Sequence, residues 1–193
     1  MGAFLSTLDR TRTMTDPADA ITIRPYDPAA DDANALWALK RRFELGLGSG
    51  TGSDEKEATY AAKLTDDYRD RWLAWVRQCV EEDADCVVVA EPTAGTDGSA
   101  ESTPPFVGYA FVLPESLAFV WDAAVLNEIY VRPAQRGTGV ADDLFESVLA
   151  CARSQALPLD RIVLDVDREN PRARAFYDRY GFEHWGEMVA REL

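Results

Sequence analysis

The chain has 193 residues, 47% of them hydrophobic and 10% aromatic, which is enough for one domain with a real core and too little for two. Its net charge of -14 argues against nucleic acid as a partner, no apolar run reaches the length of a membrane span, and Met1-Gly2-Ala3-Phe4-Leu5 lacks the basic start and sustained apolar stretch of a signal peptide. Cys79, Cys86 and Cys151 are odd in number and have no paired metal spacing, so they read as small buried hydrophobes in a soluble cytoplasmic protein without disulfides or a metal site.

Residues 1–20 are polar and without periodicity, the composition of a disordered leader, with Met14 as an alternative start; residues 21–193 form a single domain. Ile21-Thr22-Ile23-Arg24 alternates as a first strand. A helix over about 31–45 follows, with Ala35, Leu36, Leu39 and Phe43 on one stripe, and glycines between 46 and 52 break it. From Ser53 to Glu82, the spacing of Tyr60, Leu64, Tyr68, Trp72, Val76 and Cys79 predicts one helix or two. Cys86–Ala90 and Phe106–Val112 read as strands around a Gly, Ser, Thr and Pro-rich hairpin loop over 92–105. Leu126–Val131 is the next strand, and a helix over about 138–155 buries Val140, Ala141, Leu144, Phe145 and Val148. Arg161–Val166 is a fifth strand, and Asn170-Pro171 starts a last helix that Gly181 stops. Residues 182–193 are expected to add one or two strands, which completes an α/β (α+β) mixed sheet with helices on both faces.

The most informative segment is 126–145. A strand breaks at Arg132-Pro133, and the turn Arg136-Gly137-Thr138-Gly139-Val140-Ala141 opens an amphipathic helix. Glycines let the backbone approach a ligand closely, and the unpaired amides of a helix's first turn favour phosphate oxygens. A nucleotide P-loop would need Lys and then Ser or Thr after Gly139, where Val140-Ala141-Asp142 stand, and a dinucleotide fingerprint would need a small residue at Asp142. Both are excluded.

Arg136, Gly139 and Ala141 fit the Gln/Arg-x-x-Gly-x-Gly/Ala signature of the Gcn5-related N-acetyltransferase (GNAT) superfamily, which this chain resembles. A second block, Asn170-Pro171-Arg172-Ala173-Arg174-Ala175-Phe176-Tyr177 closed by Tyr180-Gly181-Phe182, resembles that family's Asn, Ala, Phe-Tyr and Gly-Phe run. The resemblance covers about 126–182. It implies the GNAT fold, a mostly antiparallel sheet of six to seven strands, and transfer of an acetyl group from acetyl-coenzyme A to a primary amine by direct attack in a ternary complex. Backbone groups of Ile129, Tyr130 and Val131 would pair with the pantetheine arm. The amides of Gly137, Thr138, Gly139, Val140, Ala141 and Asp142 would hold the pyrophosphate. Arg136 would support that turn, and Asn170, Ala173 and Phe176 would complete the coenzyme site. Asn170 has the family position for a hydrogen bond to the pantetheine arm, and N-capping would also explain it.

Charge distribution agrees with such a ligand. Residues 1–131 carry 11 basic and 23 acidic side chains, whereas 132–179 carry eight of each, so acid is concentrated away from the cradle and from Arg132, Arg136, Arg168 and Arg172. Arg outnumbers Lys 17 to three and Asp exceeds Glu, a composition that resembles proteins of salt-loving microbes.

Acetyl transfer needs a neutral amine, a polarised thioester carbonyl and a proton for the departing thiolate. Tyr177, seven positions after Asn170, matches the family Tyr that donates this proton, and it also belongs to an apolar stripe with Ala173, Phe176 and Tyr180. Two carboxylates are candidates for the base. Glu128, in the strand facing the coenzyme, is favoured over Asp165, which stands where some protein N-terminal acetyltransferases carry Glu; for either, an ion pair with a neighbouring Arg is the alternative. His184 falls outside the motifs. The acceptor pocket is expected from the first helices, with Trp37, Tyr60, Tyr68, Trp72 and Trp121 as candidates that helical spacing also explains as core. The partners are thus acetyl-CoA and an amine-bearing acceptor, for a monomer or homodimer. The alternative is a noncatalytic acyl-CoA-binding sensor or interaction module.

Overall fold

A computed structural model of the chain describes residues 20–49, 54–93 and 104–191. The expected leader and most of the 92–105 loop lie outside the described residues. The elements in chain order are β1 (Ile21–Pro25), α1 (Ala33–Ser49), α2 (Asp54–Ala62), α3 (Asp66–Glu82), β2 (Val87–Pro92), β3 (Gly108–Val112), a 3-10 turn (Glu115–Val120), β4 (Ala124–Val131), a second 3-10 turn (Pro133–Gln135), α4 (Val140–Ser154), β5 (Ile162–Leu164) and α5 (Pro171–Arg179).

One sheet runs in the order β1-β2-β3-β4-β5, antiparallel as far as β4 and parallel between β4 and β5. Alternation along the strands divides the core into two layers. Val87, Val89, Tyr109 and Phe111 face α1 and α3, where Leu36, Leu39, Trp72, Leu73 and Val76 are buried. Val88, Ala90, Ala110 and Val112 face α4 and α5, where Val140, Leu144, Phe145, Val148 and Tyr177 are buried. Phe145 joins the two helices of the second layer, with its ring 4.3–6.3 Å from those of Phe176, Tyr177, Tyr180 and Phe182.

Several boundaries differ from the sequence reading, each for a local reason. α1 runs through Gly46 to Ser49, because Leu36 and Leu39 lock its buried face and an exposed glycine only weakens a helix. The pattern after residue 53 is two helices, since Thr65 Oγ1 accepts from the Tyr68 amide at 3.2 Å and caps a new start at α3. Residues 182–191 form no strand, so the sheet has five strands among the described residues where six to seven were expected. The Phe182 amide is tied back to Tyr177 O at 3.2 Å, and β5, only three residues long, offers a short edge; Trp185, Met188 and Val189 stay exposed.

Candidate active site

β4 is where the sheet opens. Phe111 lies opposite Glu128 but Val112 lies opposite Leu126, which leaves Asn127 as an extra residue, a β-bulge. The bulge shifts the alternation, so Leu126 and Ile129, three apart, both face the α4 layer while Glu128 and Tyr130 face α1. Pairing with β5 runs only from Ala124↔Ile162 to Leu126↔Leu164 and stops where the bulge begins. From Asn127 to Val131 the far edge of β4 has no strand partner among the described residues.

Antiparallel geometry decides which groups face that open edge. The Arg132 amide donates to Val107 O at 2.8 Å, so Tyr130, two residues earlier and opposite Tyr109, spends its backbone groups on β3. Only Ile129 and Val131, of the three residues expected to line the edge, turn N–H and C=O toward it. Arg136 Nε donates to Val131 O at 3.1 Å, with the guanidinium 5.9 Å from the Tyr130 ring centroid, so it fastens the turn to the strand.

The turn itself has the geometry the glycines predict. Gly137 and Gly139 have φ of 82° and 99°, in the left-handed region, and a Cβ at either would meet open space. Gly139 caps α4 without a side-chain hydrogen bond, and the amides of Gly137, Thr138, Gly139, Val140 and Ala141 have no backbone acceptor among the described residues. Asp142 differs: its amide bonds to Gly139 O at 2.9 Å, and its carboxylate accepts from Arg179 and from the Tyr180 hydroxyl, both at 2.9 Å. It completes the turn and is not one of the open donors.

Positive charge collects beside this edge. Burial and then the neighbouring Arg136 charge lower the Arg172 pKa, and burial and then Arg42 lower that of Arg132. Arg132 Nε donates to Phe106 O at 2.8 Å. None of Arg132, Arg136 and Arg172 pairs with a carboxylate among the described residues. Arg168, by contrast, is committed to Glu187.

On α5, Asn170 Oδ1 accepts from the Ala173 amide at 3.0 Å, an N-cap that leaves the Nδ2 donor without a partner among the described residues. Ala173 and Phe176 pack at the edge of the α4 layer. Tyr177 is 8% exposed, and burial pushes its phenol up to about 12, which keeps it protonated at neutral pH. Asp165 is exposed, just beyond β5, with no side-chain hydrogen bond among the described residues.

The structure places Glu128 in a buried network of donors. Its Oε1 accepts from Lys40 Nζ at 2.6 Å, Trp72 Nε1 at 3.3 Å and Asn127 Nδ2 at 3.1 Å, and its Oε2 accepts from the Tyr109 hydroxyl at 2.5 Å. At 4% exposure, with three donors on Oε1 and one on Oε2, the carboxylate is tied into the chain's own buried network. The partner is a lysine from α1 rather than a neighbouring arginine. Lys40 also pairs with Glu44 at 2.6 Å, and Glu44 in turn takes Lys63 at 2.7 Å and the Tyr68 hydroxyl at 3.1 Å. Lys40 and Glu44 were not singled out from the sequence, although their i,i+4 spacing beside an apolar stripe was the available signal.

The aromatic candidates for an acceptor pocket divide. Trp37 packs 6.1 Å from both Tyr68 and Trp72, and Tyr60 holds Lys63 Nζ at 4.5 Å from its ring centroid, so these four line the same lysine-bearing region. Trp121 is elsewhere, exposed just before β4.

The profile of the Acetyltransferase (GNAT) family matches residues 52–182, and the chain belongs to that family. It is 29% identical over 176 residues to the mycothiol acetyltransferase of Salinispora tropica, covering 83% of this chain and 55% of that one. It is 38% identical over 68 residues to the 5-NmdU N-acetyltransferase of Pseudomonas phage PaMx11, covering 35% of this chain and 45% of that one. The chain thus spans about half the length of these curated relatives. Its fold is similar to that of the aminoglycoside N-acetyltransferase AAC(6')-Iy in complex with CoA, with a TM-score of 0.61 at 16% identity over 90% of this chain and 95% of that one. It is similar also to PaiA N-acetyltransferase from Thermoplasma acidophilum in complex with coenzyme A, with a TM-score of 0.58 at 18% identity over 85% and 90% of the two chains.

Proposed function

We propose that this chain transfers an acetyl group from acetyl-coenzyme A to a primary amine, by direct attack in a ternary complex. The observation that carries the reading is the unpaired edge of β4 beyond Leu126, continuous through Arg136 with the open amides at the start of α4. An extended, amide-bearing arm ending in a diphosphate matches that sequence of donors and acceptors: Ile129 and Val131 pair with the arm as with a strand, and the amides from Gly137 to Ala141 take the phosphates. Arg132 and Arg172, without carboxylate partners, add positive charge for further phosphate.

The chemistry then falls to few side chains. An outward amide of β4 polarises the thioester carbonyl, and Tyr177, kept protonated by burial, gives its proton to the leaving thiolate. The acceptor must arrive as the free base or lose its proton to water or to Asp165, the exposed candidate carboxylate with no side-chain hydrogen bond among the described residues. The relatives' names attach acetyl transfer to different acceptors, and acceptor choice in this chain is assigned to the aromatic region that Trp37, Tyr60, Tyr68 and Trp72 form around Lys40 and Lys63.

An assay of thiol release from acetyl-coenzyme A against a panel of polyamines, amino sugars and peptide N-termini, at low and at multimolar salt, tests this. Turnover with at least one amine supports it. Binding of coenzyme A by calorimetry without turnover on any amine would instead establish a noncatalytic acyl-coenzyme-binding module.

A further inference from the structure

All three lysines of the chain lie in ion pairs: Lys40 with Glu44 and Glu128, Lys63 with Glu44, and Lys56 with Asp167. Elsewhere the chain uses Arg 17 times. The Lys40 position explains why Arg would not serve there. Its Nζ sits 2.6 Å from each of two carboxylates, 3% exposed, and within 5.4 Å of the Phe43 and Trp72 ring centroids, a space for a compact ammonium and not for a planar fork. Burial opposes this charge, but Glu128 and then Glu44 raise its pKa, so Lys40 stays protonated. Burial likewise opposes ionisation of Glu44, and Lys40 and then Lys63 lower its pKa.

We infer that Lys40 is a positioning residue for acyl transfer: through Glu128 it holds the β4 bulge in place, and so sets the edge formed by Ile129 and Val131. The inference rests on the acetyl-transfer reading for its kinetic consequence. Its physical basis is separate. Glu128 is the residue directly after the extra Asn127, and that Asn127 donates to the same Oε1 that Lys40 holds. Donors from α1 (Lys40), α3 (Trp72) and β3 (Tyr109) therefore converge on the one point where β4 turns away from β5. The network balances two buried carboxylates, Glu44 and Glu128, against two ammoniums, Lys40 and Lys63, with the Tyr68 and Tyr109 hydroxyls as neutral donors. Removing one partner leaves a buried charge, whereas removing both leaves neutral groups of similar volume.

The test compares Lys40→Met, Glu128→Gln and the double variant. In Lys40→Met, kcat falls at least tenfold while the Kd for coenzyme A, set mainly by the α4 turn, stays within about threefold. The double variant recovers kcat to within about threefold of the parent, because the Gln carbonyl oxygen in the Oε1 place accepts from Trp72 and Asn127, its NH2 donates to the Tyr109 hydroxyl oxygen, and neutrality is restored. A double variant as inactive as Glu128→Gln would overturn the inference and return Glu128 to proton transfer. Amide hydrogen exchange at Tyr130 and Arg132, whose N–H groups are bonded to β3, needs neither coenzyme nor acceptor, and it separates this inference from the acetyl-transfer reading. Exchange at least tenfold faster in Lys40→Met and near parental in the double variant supports the positioning role even if no amine is a substrate. Unchanged exchange in Lys40→Met overturns it whatever the turnover.

Discussion

Replacement of Gly139 by Ala probes the cradle at its most exposed assumption. Gly139 has φ 99° and ψ -15°, and a Cβ there would touch no neighbouring atom, so the substitution adds backbone strain without a steric clash in the free protein. Left-handed geometry costs an L-residue about 1–2 kcal/mol, and at this chain length about 2–4 °C of Tm accompanies each kcal/mol. A fall of roughly 2–8 °C is expected by thermal unfolding. Coenzyme affinity should suffer more, because relief of the strain turns the Val140 and Ala141 amides away from the diphosphate. Each charge-assisted hydrogen bond contributes about 1.5–3 kcal/mol, so losing one weakens binding at least about tenfold. Gly46→Ala is the control: Gly46 is an exposed position inside α1 with open space around it, and Ala there should stabilise the helix by up to about 1 kcal/mol without altering affinity. Calorimetric titration of both variants with coenzyme A decides the matter. If Gly139→Ala binds as tightly as the parent, the diphosphate does not rest on the start of α4, and the acyl-transfer reading loses its foundation.

Tyr177→Phe should lower turnover at least tenfold and leave coenzyme affinity within about threefold; steady-state kinetics with unchanged kcat would remove the phenol from proton transfer. The same side chain gives an alkaline signature. Its folded pKa of about 12 lies above the unfolded value of about 10, so its contribution to stability is complete below pH ~10 and is lost as pH rises toward ~12, on the order of 2–3 kcal/mol. Denaturant unfolding between pH 9 and pH 12 should show this decline, and Tyr177→Phe should reduce its slope without abolishing it, because the Cys79 and Cys151 thiols and Tyr180 titrate in the same range. The three cysteines are buried, and desolvation pushes the Cys79 thiol up to about 11, the Cys151 thiol up to about 12 and the Cys86 thiol higher still. A thiolate-trapping reagent at neutral pH should therefore titrate almost no thiol until denaturant is added, and rapid labelling of the native protein would contradict the packing around Cys151 and Asp83.

What could be read from the sequence was local. Positive φ at Gly137 and Gly139, the cap at Asn170, and the apolar stripes of α3 and α4 each depend on residues within a few positions of one another, and short-range sterics and periodicity are enough to specify them. The glycine turn, its position after a strand, and the placement of Asn170 and Tyr177 on one helix were legible for that reason. Tertiary structure alone decided what became of Glu128. Its lysine partner lies 88 residues away on α1, its phenol partner on β3, and the bulge that aims it exists only when β3 and β4 are paired out of register by one residue. The same applies to the backbone of Tyr130, whose direction follows from its pairing with Tyr109, and to residues 182–191, whose strand-like pattern finds only a three-residue edge at β5. Backbone conformation is chosen by near neighbours along the chain, whereas the protonation, pairing and orientation of a buried side chain are chosen by whatever the fold brings against it, and those partners carry no fixed spacing in the sequence.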